Sequence, residues 1–570
     1  MNKLSLILPR KTPDYRLTPR YFYLLLLAIC ATYFGVEFYY INYSIFSVDD
    51  FWLAYHTYHY KAALPYRDFA PYKTVLGYYL MLLAMLATHG TVATLVAVKT
   101  FLTVVNTFCL ALAAWWLKKI FSPAATLFAL ALLASTFCFL AYSTEIRVDL
   151  LAYWLCLFSL LCLLEQKWLT AGFCIGVAFL VSQKSLWCLI AMDCALFASG
   201  GMRMVSPLLR TNCIAVLTLG CYILFWSYFA SVNIVLKSIF YDAYLIAHLT
   251  DYQSAIANFW KITLGQNLVL YVAGASGLLS LMLPPQRLLP SQRIFIGVYA
   301  AVMTYFFITY QQPFAYQLLV MMPALLILLA VLCEWVFAVF SSRMTRSVFC
   351  LGVIGVNMSF ALTSYEVNAA DNRYQRNMLG LMEQLLGPNE NYLAGVPLIY
   401  SKDSIIPGLI HLNVPQLNYL YQPSPAMRKF MLASLYTTPV TQAQVLVTLM
   451  DAPIKFYINN NRMLALPPSL KSFLASEYQH FWGSIYLYAP SIAAGEQPML
   501  IKFSGYYKVN STVPVTIDGK NYSPKTLALL SRGNHLSVAS NNYRLQLVPE
   551  VSADYLDFKY VGDAYWQMIG

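Results

Sequence analysis

The chain has 570 residues, of which 59% are hydrophobic and only 11% are charged, and its mean hydropathy is +0.58. Soluble globular domains carry about 25% charged residues, so this composition excludes an ordinary soluble protein and predicts a polytopic membrane protein. The net charge of +12 is scattered between apolar segments without a basic-aromatic tract, which argues against a nucleic-acid partner. All twelve cysteines lie between Cys30 and Cys350 without metal-binding spacing, so we expect buried free thiols.

Long apolar segments recur between residue 21 and about residue 362. The first is long enough to cross a bilayer, which needs roughly 20 residues, and no cleavage site follows it, so we expect a retained helix. The apolar stretch 74–88 is short and is interpreted as a juxtamembrane or re-entrant helix. We predict a mainly α-helical transmembrane bundle of about eleven spans, near residues 21–41, 95–117, 121–141, 149–164, 168–182, 185–199, 211–230, 265–283, 294–310, 315–338 and 347–363.

The basic residues agree with a single orientation of this bundle. With the basic N-terminus in the cytoplasm, every proposed inner loop contains Lys or Arg. An odd number of spans then places the C-terminal region on the outer face. The inner-loop basic residues are Lys118, Lys119, Lys167, Arg203, Arg210, Arg287, Arg293, Arg343 and Arg346.

The composition changes at about residue 368, where polar residues, Pro, Asn and Tyr become frequent. We expect a transmembrane domain at 1–367, an α/β domain at 368–497 and a β-rich module at 498–570. Three tyrosines of this last module, Tyr506, Tyr507 and Tyr522, are expected to be exposed. The pattern predicts a helix at 373–386 and strands at 444–448, 454–458, 500–509, 513–517 and 543–548, with turns at Asp518-Gly519, 532–534 and 541–542.

The first outer loop, residues 42–73, contains an adjacent pair of acids, Asp49 and Asp50. Adjacent carboxylates at a membrane boundary repel each other and are costly to desolvate, so they persist most readily where they bind a proton, a cation or a sugar hydroxyl. A solvated loop end is the alternative. The same loop supplies Arg67, Asp68 and Lys73 as candidate substrate-binding residues.

The second and third outer loops add further charges. Glu145, Arg147 and Asp149 form an acidic-basic-acidic run at the start of a span, and Lys184 lies in a very short turn between two spans. Arg147 and Lys184 are candidates for binding a phosphate. The alternatives are a structural ion pair between Arg147 and Asp149 and a Lys184 that reaches a lipid phosphate.

The fourth and fifth outer loops carry weaker signals. His248 is an isolated histidine in the fourth loop and a candidate metal ligand. Asp49 in the first loop is another candidate metal ligand. Gln312 and Tyr316 in the fifth loop offer an amide and a phenol suited to sugar hydroxyls, although polarity at a helix start explains them equally well. These loops together supply what sugar transfer from a lipid phosphate requires: a carboxylate base, cations or a metal at the departing phosphate, and aromatic surfaces.

The order of these motifs resembles the GT-C superfamily of polyprenyl-phosphate-sugar-dependent glycosyltransferases, which includes protein O-mannosyltransferases and the transferases that add aminoarabinose to lipid A. The matching features are Asp49-Asp50 after the first span, the segment 71–79, and the run from Glu145 to Asp149, with weaker matches at Lys184 and at Gln312 with Tyr316. The similarity covers roughly residues 20–340.

The resemblance implies a catalytic base in the first loop, with Asp50 as first choice and Asp49 as second. It implies an undecaprenyl-phosphate-linked sugar as donor, with a divalent metal ion as an additional option. The acceptor would be a cell-envelope lipid, glycan or protein. It also implies a multi-pass protein of the bacterial inner membrane, with the C-terminal region in the periplasm.

Three other functions compete with this interpretation. A transporter or flippase would carry charges in mid-span and inverted repeats, whereas here the polar groups concentrate at loop ends and no repeat is evident. A polymerase or ligase of lipid-linked oligosaccharides shares the chemistry but uses a pyrophosphate donor. A non-catalytic envelope scaffold would only display the C-terminal region.

Overall fold

The computed structural model divides into two compact units, the first comprising residues 1–42, 60–87 and 96–369 and the second comprising residues 43–59, 88–95 and 370–570. Two short segments from the N-terminal part therefore belong to the same unit as the C-terminal region. The residues that the structure describes are 17–68, 71, 73–244, 253–284, 287–310, 314–340, 342–368, 372–387, 390–394, 397–401, 442–451, 453–460, 463 and 468–556.

The first unit is a bundle of apolar helices, as the sequence predicted. Within the described residues, seven helices are long and apolar enough to cross a membrane, and four shorter apolar helices accompany them. One of the four shorter helices, Leu76–Met85, lies within the stretch 74–88 that was interpreted as a juxtamembrane or re-entrant helix. In chain order the helices of both units are α1 (Pro19–Tyr43), α2 (Val48–His59), α3 (Leu76–Met85), α4 (Thr91–Leu117), α5 (Pro123–Ala134), α6 (Phe137–Tyr142), α7 (Asp149–Leu164), α8 (Trp168–Val181), α9 (Ser185–Gly200), α10 (Val205–Ser227), α11 (Val232–Leu236), α12 (Gln253–Ser280), α13 (Pro290–Thr309), α14 (Met322–Val339), α15 (Arg343–Asn368), α16 (Arg373–Leu385), α17 (Gln442–Asp451), α18 (Pro468–Glu477) and α19 (Ala553–Leu556).

Helix α8 packs between α7 and α10, and two glycines allow its close approach to α10. A methyl group on Gly172 would meet the carbonyl oxygen of Thr211, and one on Gly176 would lie 2.9 Å from the Cβ of Thr218. The two glycines are four residues apart and therefore lie on one face of α8, the small-residue spacing that lets membrane helices approach closely. This contact fixes α8, whose C-terminal end leads into the turn that contains Lys184.

The described residues of the second unit form three four-stranded sheets around one hydrophobic core. The strand orders are β1-β2-β4-β3, β10-β7-β12-β5 and β6-β11-β8-β9, with only β1 and β2 parallel. The strands are β1 (Leu393–Ala394), β2 (Phe456–Ile458), β3 (Tyr478–Trp482), β4 (Ile485–Tyr488), β5 (Ser491–Ile492), β6 (Gly495–Ile501), β7 (Gly505–Asn510), β8 (Val515–Ile517), β9 (Lys520–Tyr522), β10 (Leu527–Leu530), β11 (Gly533–Ala539) and β12 (Tyr543–Val548).

Several local predictions for this unit are confirmed. The helix at 373–386 is α16, the run at 543–548 is β12, and strands β2 and β8 lie within the predicted runs at 454–458 and 513–517. The turn between β8 and β9 has positive φ at both Asp518 (50°) and Gly519 (77°). Such a turn matches the twist of the flanking strands.

Three predictions for this unit are wrong. The run at 444–448 belongs to the helix α17, and the run at 500–509 is divided between β6 and β7, which lie in different sheets. Tyr507 is fully buried in the core rather than exposed, because alternate residues of β7 point to the core and Tyr506 takes the outer face. The hydrophobic core contains residues on both sides of the domain boundary predicted between residues 497 and 498. That boundary stays a prediction.

We predict that Gly172→Ala destabilises the protein by about 1–3 kcal/mol, the usual range for inserting a methyl group into a well-packed contact. Thermal unfolding of the purified protein in detergent measures the change. Gly220→Ala is the matched control, because Gly220 lies within α10 and has open space at its Cβ position. Equal melting temperatures for the two variants would contradict the close α8–α10 contact.

Candidate functional site

Two helix starts and one helix end of the first unit converge on Asp149. This acid is the first residue of α7, and Ser182 and Lys184 lie in the turn between α8 and α9. Ser182 Oγ donates to Asp149 Oδ1 over 2.8 Å, and Lys184 Nζ lies 3.4 Å from Asp149 Oδ2. Ser182 and Lys184, both from one short turn, therefore hold the two carboxylate oxygens of Asp149. The same contacts fix the position of the Lys184 ammonium group.

Arg147 lies beside this pair and contacts the ring of Tyr316. Its Nε donates to Glu145 Oε2 over 2.6 Å, and its guanidinium carbon is 3.4 Å from the centroid of the Tyr316 ring. Lys184 Nζ is 5.0 Å from the same centroid. One aromatic ring thus has two cations against it, an arrangement favoured by the ring quadrupole. The structure brings together the predicted residues Glu145, Arg147, Asp149, Lys184 and Tyr316.

Lys73 extends the cluster through Tyr78. The Lys73 ammonium donates to the Tyr78 hydroxyl over 2.5 Å, and Tyr78 lies within electrostatic range of Asp149 and Lys184. The approach depends on Gly77, because a Cβ at this position would lie 2.6 Å from Cγ1 of Val148. Helix α3 therefore reaches the start of α7 only with a glycine at this position.

The backbone that carries Lys73 is held by the buried Tyr66 and the half-buried Tyr222. The Tyr66 hydroxyl donates to the Lys73 carbonyl over 2.7 Å and lies 2.8 Å from the Tyr222 hydroxyl. Tyr222 in turn accepts from the backbone amide of Val75 over 3.0 Å. Tyr66 adopts a φ of +66°, which bulky residues rarely take, so the surrounding contacts hold it there.

The charges of the cluster are accessible but partly desolvated. The exposed fractions of the Arg147, Asp149 and Lys184 side chains are 10%, 14% and 23%. Burial favours a lower pKa for Lys184, but the neighbouring Asp149 carboxylate outweighs it, and the net pKa lies above its ordinary value. Lys184 is therefore a permanent cation at physiological pH, as a phosphate-binding group requires.

Arg67 and Asp68 form a separate ion pair. Arg67 donates to both oxygens of Asp68, over 2.7 and 2.8 Å, and Asp68 Oδ2 also accepts from the backbone amide of Leu64 over 2.7 Å. The Arg67 guanidinium and this amide lower the pKa of Asp68 to about 2. The pair closes a surface turn, and its predicted role in substrate binding stays a prediction.

The predicted residues Gln312 and His248 lie outside the described residues. Within the part of the chain that the structure describes, no group of three or more His, Cys, Asp or Glu is placed to hold a metal ion. The two acids of the cluster are already engaged: Glu145 pairs with Arg147, and the two oxygens of Asp149 bond Ser182 and Lys184. The described cluster therefore offers cations for a phosphate and does not fit a metal ion.

A buried polar network beneath this cluster was missed by sequence reasoning. Ser143 Oγ accepts from the Tyr33 hydroxyl over 2.8 Å and lies 3.4 Å from Glu37 Oε1, while Asn106 Nδ2 donates to the Ser143 carbonyl over 2.7 Å. The network ties α1 and α4 to the residues just before Glu145. The sequence signal for this network was Glu37, an acidic residue within an otherwise apolar span.

A second predicted site, the acid pair of the first loop, lies in the second unit. Asp49 and Asp50 are in the first turn of α2, where the helix dipole favours acids. Asp50 Oδ2 accepts from the Ser47 amide over 2.9 Å, and Ser47 Oγ accepts from the Asp50 amide over 3.2 Å. This reciprocal pair is a capping box. Asp50 is fully buried, whereas Asp49 is half-buried.

The start of α2 is held by Gln375 of α16. Gln375 Oε1 accepts from the Phe46 amide over 2.6 Å, and Gln375 Nε2 donates to the Phe46 carbonyl over 3.0 Å. Both partners are buried. An amide side chain that bonds both polar groups of one residue fixes that backbone in position and orientation. The acid pair is therefore presented by the C-terminal region, which the sequence did not indicate.

Comparison with known proteins gives structural matches only. No protein-family model matches the chain, and no curated protein matches it in sequence. The chain is similar in structure to ArnT from Cupriavidus metallidurans bound to undecaprenyl phosphate, with a TM-score of 0.50 and 11% identity over 83% of this chain and 93% of that chain. For the oligosaccharyltransferase of Archaeoglobus fulgidus in the apo form, the TM-score is 0.47 and the identity 12%, over 89% of this chain and 75% of that chain.

The similarity to ArnT shows that this chain has a GT-C-like fold. The expected membrane helical bundle with a β-rich soluble region is thereby confirmed. At 11% identity the likeness concerns the fold alone.

We predict that Gln375→Ala loosens the start of α2, because two buried backbone groups of Phe46 lose their partners. Each such loss costs about 1–3 kcal/mol. Hydrogen exchange of residues 46–51 should rise at least about tenfold. Gln384→Ala is the control, since Gln384 is exposed on the same helix and accepts from the Ser552 amide, away from Phe46 in the sequence. Unchanged protection of residues 46–51 in Gln375→Ala would contradict the role of Gln375.

Proposed function

We propose that this protein is an integral-membrane glycosyltransferase that moves a monosaccharide from a polyprenyl-phosphate donor to a lipid, glycan or protein of the cell envelope. The observation that carries the proposal is the pair of partly desolvated cations, Arg147 and Lys184, held against Tyr316 at the end of a GT-C-like helical bundle. A lipid phosphate enters at such helix ends, where the apolar tail stays in the membrane.

In the proposed reaction the acceptor hydroxyl attacks the anomeric carbon of the sugar. The carbon–oxygen bond to the phosphate breaks, and the polyprenyl phosphate leaves with the bonding electron pair. A carboxylate of α2 takes the proton from the acceptor. Arg147 and Lys184 stabilise the negative charge that develops on the departing phosphate. The proposed donor is undecaprenyl phosphate linked to one sugar, and the support is the undecaprenyl phosphate bound in the ArnT structure.

Asp49 is the better candidate for the base, and Asp50 remains the alternative. The capping box occupies the Asp50 carboxylate, and the side chain is fully buried. A general base must come within hydrogen-bond reach of the acceptor hydroxyl, which the half-buried Asp49 meets more easily. This reverses the order that the sequence favoured, because the sequence did not indicate that Ser47 caps the helix.

The proposed location is the bacterial inner membrane, with the N-terminus in the cytoplasm and both the cluster and the C-terminal region facing the periplasm. The support is the distribution of basic residues over alternate loops. A reporter enzyme fused after residue 570 tests it. Activity of a reporter that works only in the cytoplasm would contradict this orientation.

We predict that Arg147→Gln and Lys184→Gln each raise the apparent KM for the lipid donor at least about tenfold, because a charge-assisted contact to a phosphate contributes roughly 1.5–3 kcal/mol. Initial rates over a donor titration measure the effect. Lys167→Gln is the control, since this exposed lysine pairs with Glu165. An unchanged KM in both cluster variants would mean that the charges serve only the protein's own ion pairs.

We predict that Asp49→Asn lowers transfer by about 100-fold or more, the scale of a lost general base, while the melting temperature stays near the wild-type value. Asp50→Asn should instead lower stability by about 1 kcal/mol, because it weakens the helix cap. Asp554→Asn, which changes an acid in the first turn of α19, is the control. Near-normal turnover in both α2 variants would remove this acid pair from the mechanism.

A further inference from the structure

An apolar groove runs along the first unit between α1 and α4. It encloses about 430 Å³, and its walls include Tyr23, Leu26, Leu27 and Phe34 of α1 and Phe108 and Ala111 of α4. Leu27 and Phe108 are 65% and 66% exposed. Exposed apolar side chains of this kind on a membrane bundle face lipid, so hydrocarbon is the occupant that the lining favours.

A lysine lies where the groove ends. Lys118 follows the last residue of α4, and its ammonium donates to the Tyr23 hydroxyl over 2.7 Å and lies 4.5 Å from the centroid of that ring. Tyr23 itself lines the groove. The ammonium is thus fixed at one end of an apolar groove, and this arrangement complements an anionic lipid, which has a negative headgroup attached to hydrocarbon chains.

Lys118 differs from the two basic residues near it. Lys119 and Lys167 both lie within 4 Å of Glu165, at 3.8 and 2.5 Å. Among the described residues, no carboxylate pairs with Lys118, whose recorded partners are the hydroxyl of Tyr23 and the rings of Phe22 and Tyr23. No carboxylate of the described residues therefore neutralises its positive charge.

The length of the groove matches one leaflet of a bilayer. Along α1 it extends from Tyr23 to Phe34, which at about 1.5 Å per residue is about 16 Å. The hydrocarbon core of a bilayer is about 30 Å thick, so one leaflet provides about 15 Å. An acyl chain of a phospholipid fills this length, whereas a polyprenyl chain is much longer.

We propose that this groove is a binding site for one anionic phospholipid. One acyl chain lies between α1 and α4, and the phosphate accepts a hydrogen bond from Lys118. The polar end of the site, at Lys118 and Tyr23, lies toward the end of α1 opposite to Glu37, which contacts Ser143 just before the Glu145–Arg147 pair. It is therefore distinct from the proposed donor site and holds a lipid of the opposite leaflet.

A lipid titration of the purified full-length protein, followed by native mass spectrometry, tests the proposal. The probes are phosphatidylglycerol and phosphatidylcholine with identical acyl chains. We expect one phosphatidylglycerol to bind at least about fivefold more tightly than phosphatidylcholine, and this preference to disappear in Lys118→Gln. Lys119→Gln is the matched control, because it removes the adjacent charge, which Glu165 already partners, and should keep the preference.

Two further measurements address the groove and its occupant. Ala111→Phe fills the groove and leaves Lys118 in place, so it should abolish the tightly bound lipid. Thr107→Leu, a smaller change in the same wall, serves if Ala111→Phe does not fold. Retained binding in the wall variant that folds, or equal losses in Lys118→Gln and Lys119→Gln, would overturn the proposal. Displacement of phosphatidylglycerol by equimolar undecaprenyl phosphate would overturn the choice of occupant.

Discussion

The candidate site depends on the ion pair between Lys184 and Asp149. A lysine in a turn of three residues between two apolar helices cannot move far from the helix ends, and its charge needs a partner once it is partly desolvated. Asp149 supplies that partner and gains from its own place at the N-terminus of α7, where the helix dipole favours an acid. The hydroxyl of Ser182 satisfies the second carboxylate oxygen. Arg147 and Tyr316 then pack around an arrangement that is already fixed.

The sequence predicted the charged members of this cluster but not the contacts that assemble it. Glu145, Arg147, Asp149 and Lys184 were evident because charges are rare in an apolar chain and these occur at span ends. Gly77 was not, because a glycine in an apolar helix gives no indication of what approaches it. Its role becomes visible only when a side chain at that position is seen to collide with Val148.

Two strand predictions in the second unit were wrong because the local sequence pattern did not determine the structure. Residues 500–509 alternate well enough to suggest one strand, but Gly505 has a φ of +155° and begins a new strand in another sheet. The run 444–448 is too short to distinguish the hydrophobic period of 2 of a strand from the period of 3.6 of a helix. These residues belong to the helix α17. Where the turn residues had a specific signature, as at Asp518 and Gly519, the prediction was correct.

The acid pair of α2 shows how far a loop can depend on a distant part of the chain. Asp49 and Asp50 were predicted from their position after the first span, yet the helix that presents them is fixed by Gln375, more than 300 residues later. No local pattern contains that pairing, since an amide side chain within a helix is ordinary. The C-terminal region thus orients the helix that carries the proposed base.

Glu37 is a fully buried carboxyl group within the first unit. A fully buried carboxyl group is costly unless its polar atoms are bonded, and its cost is justified only if the network gives the fold a unique arrangement. Here the partners of the network include Ser143, whose hydroxyl and carbonyl are both engaged. These bonds fix the backbone two residues before Glu145, which in turn orients Arg147. The buried polar groups of α1 and α4 therefore contribute to the position of the cations, even though they do not belong to the cluster that would contact a donor.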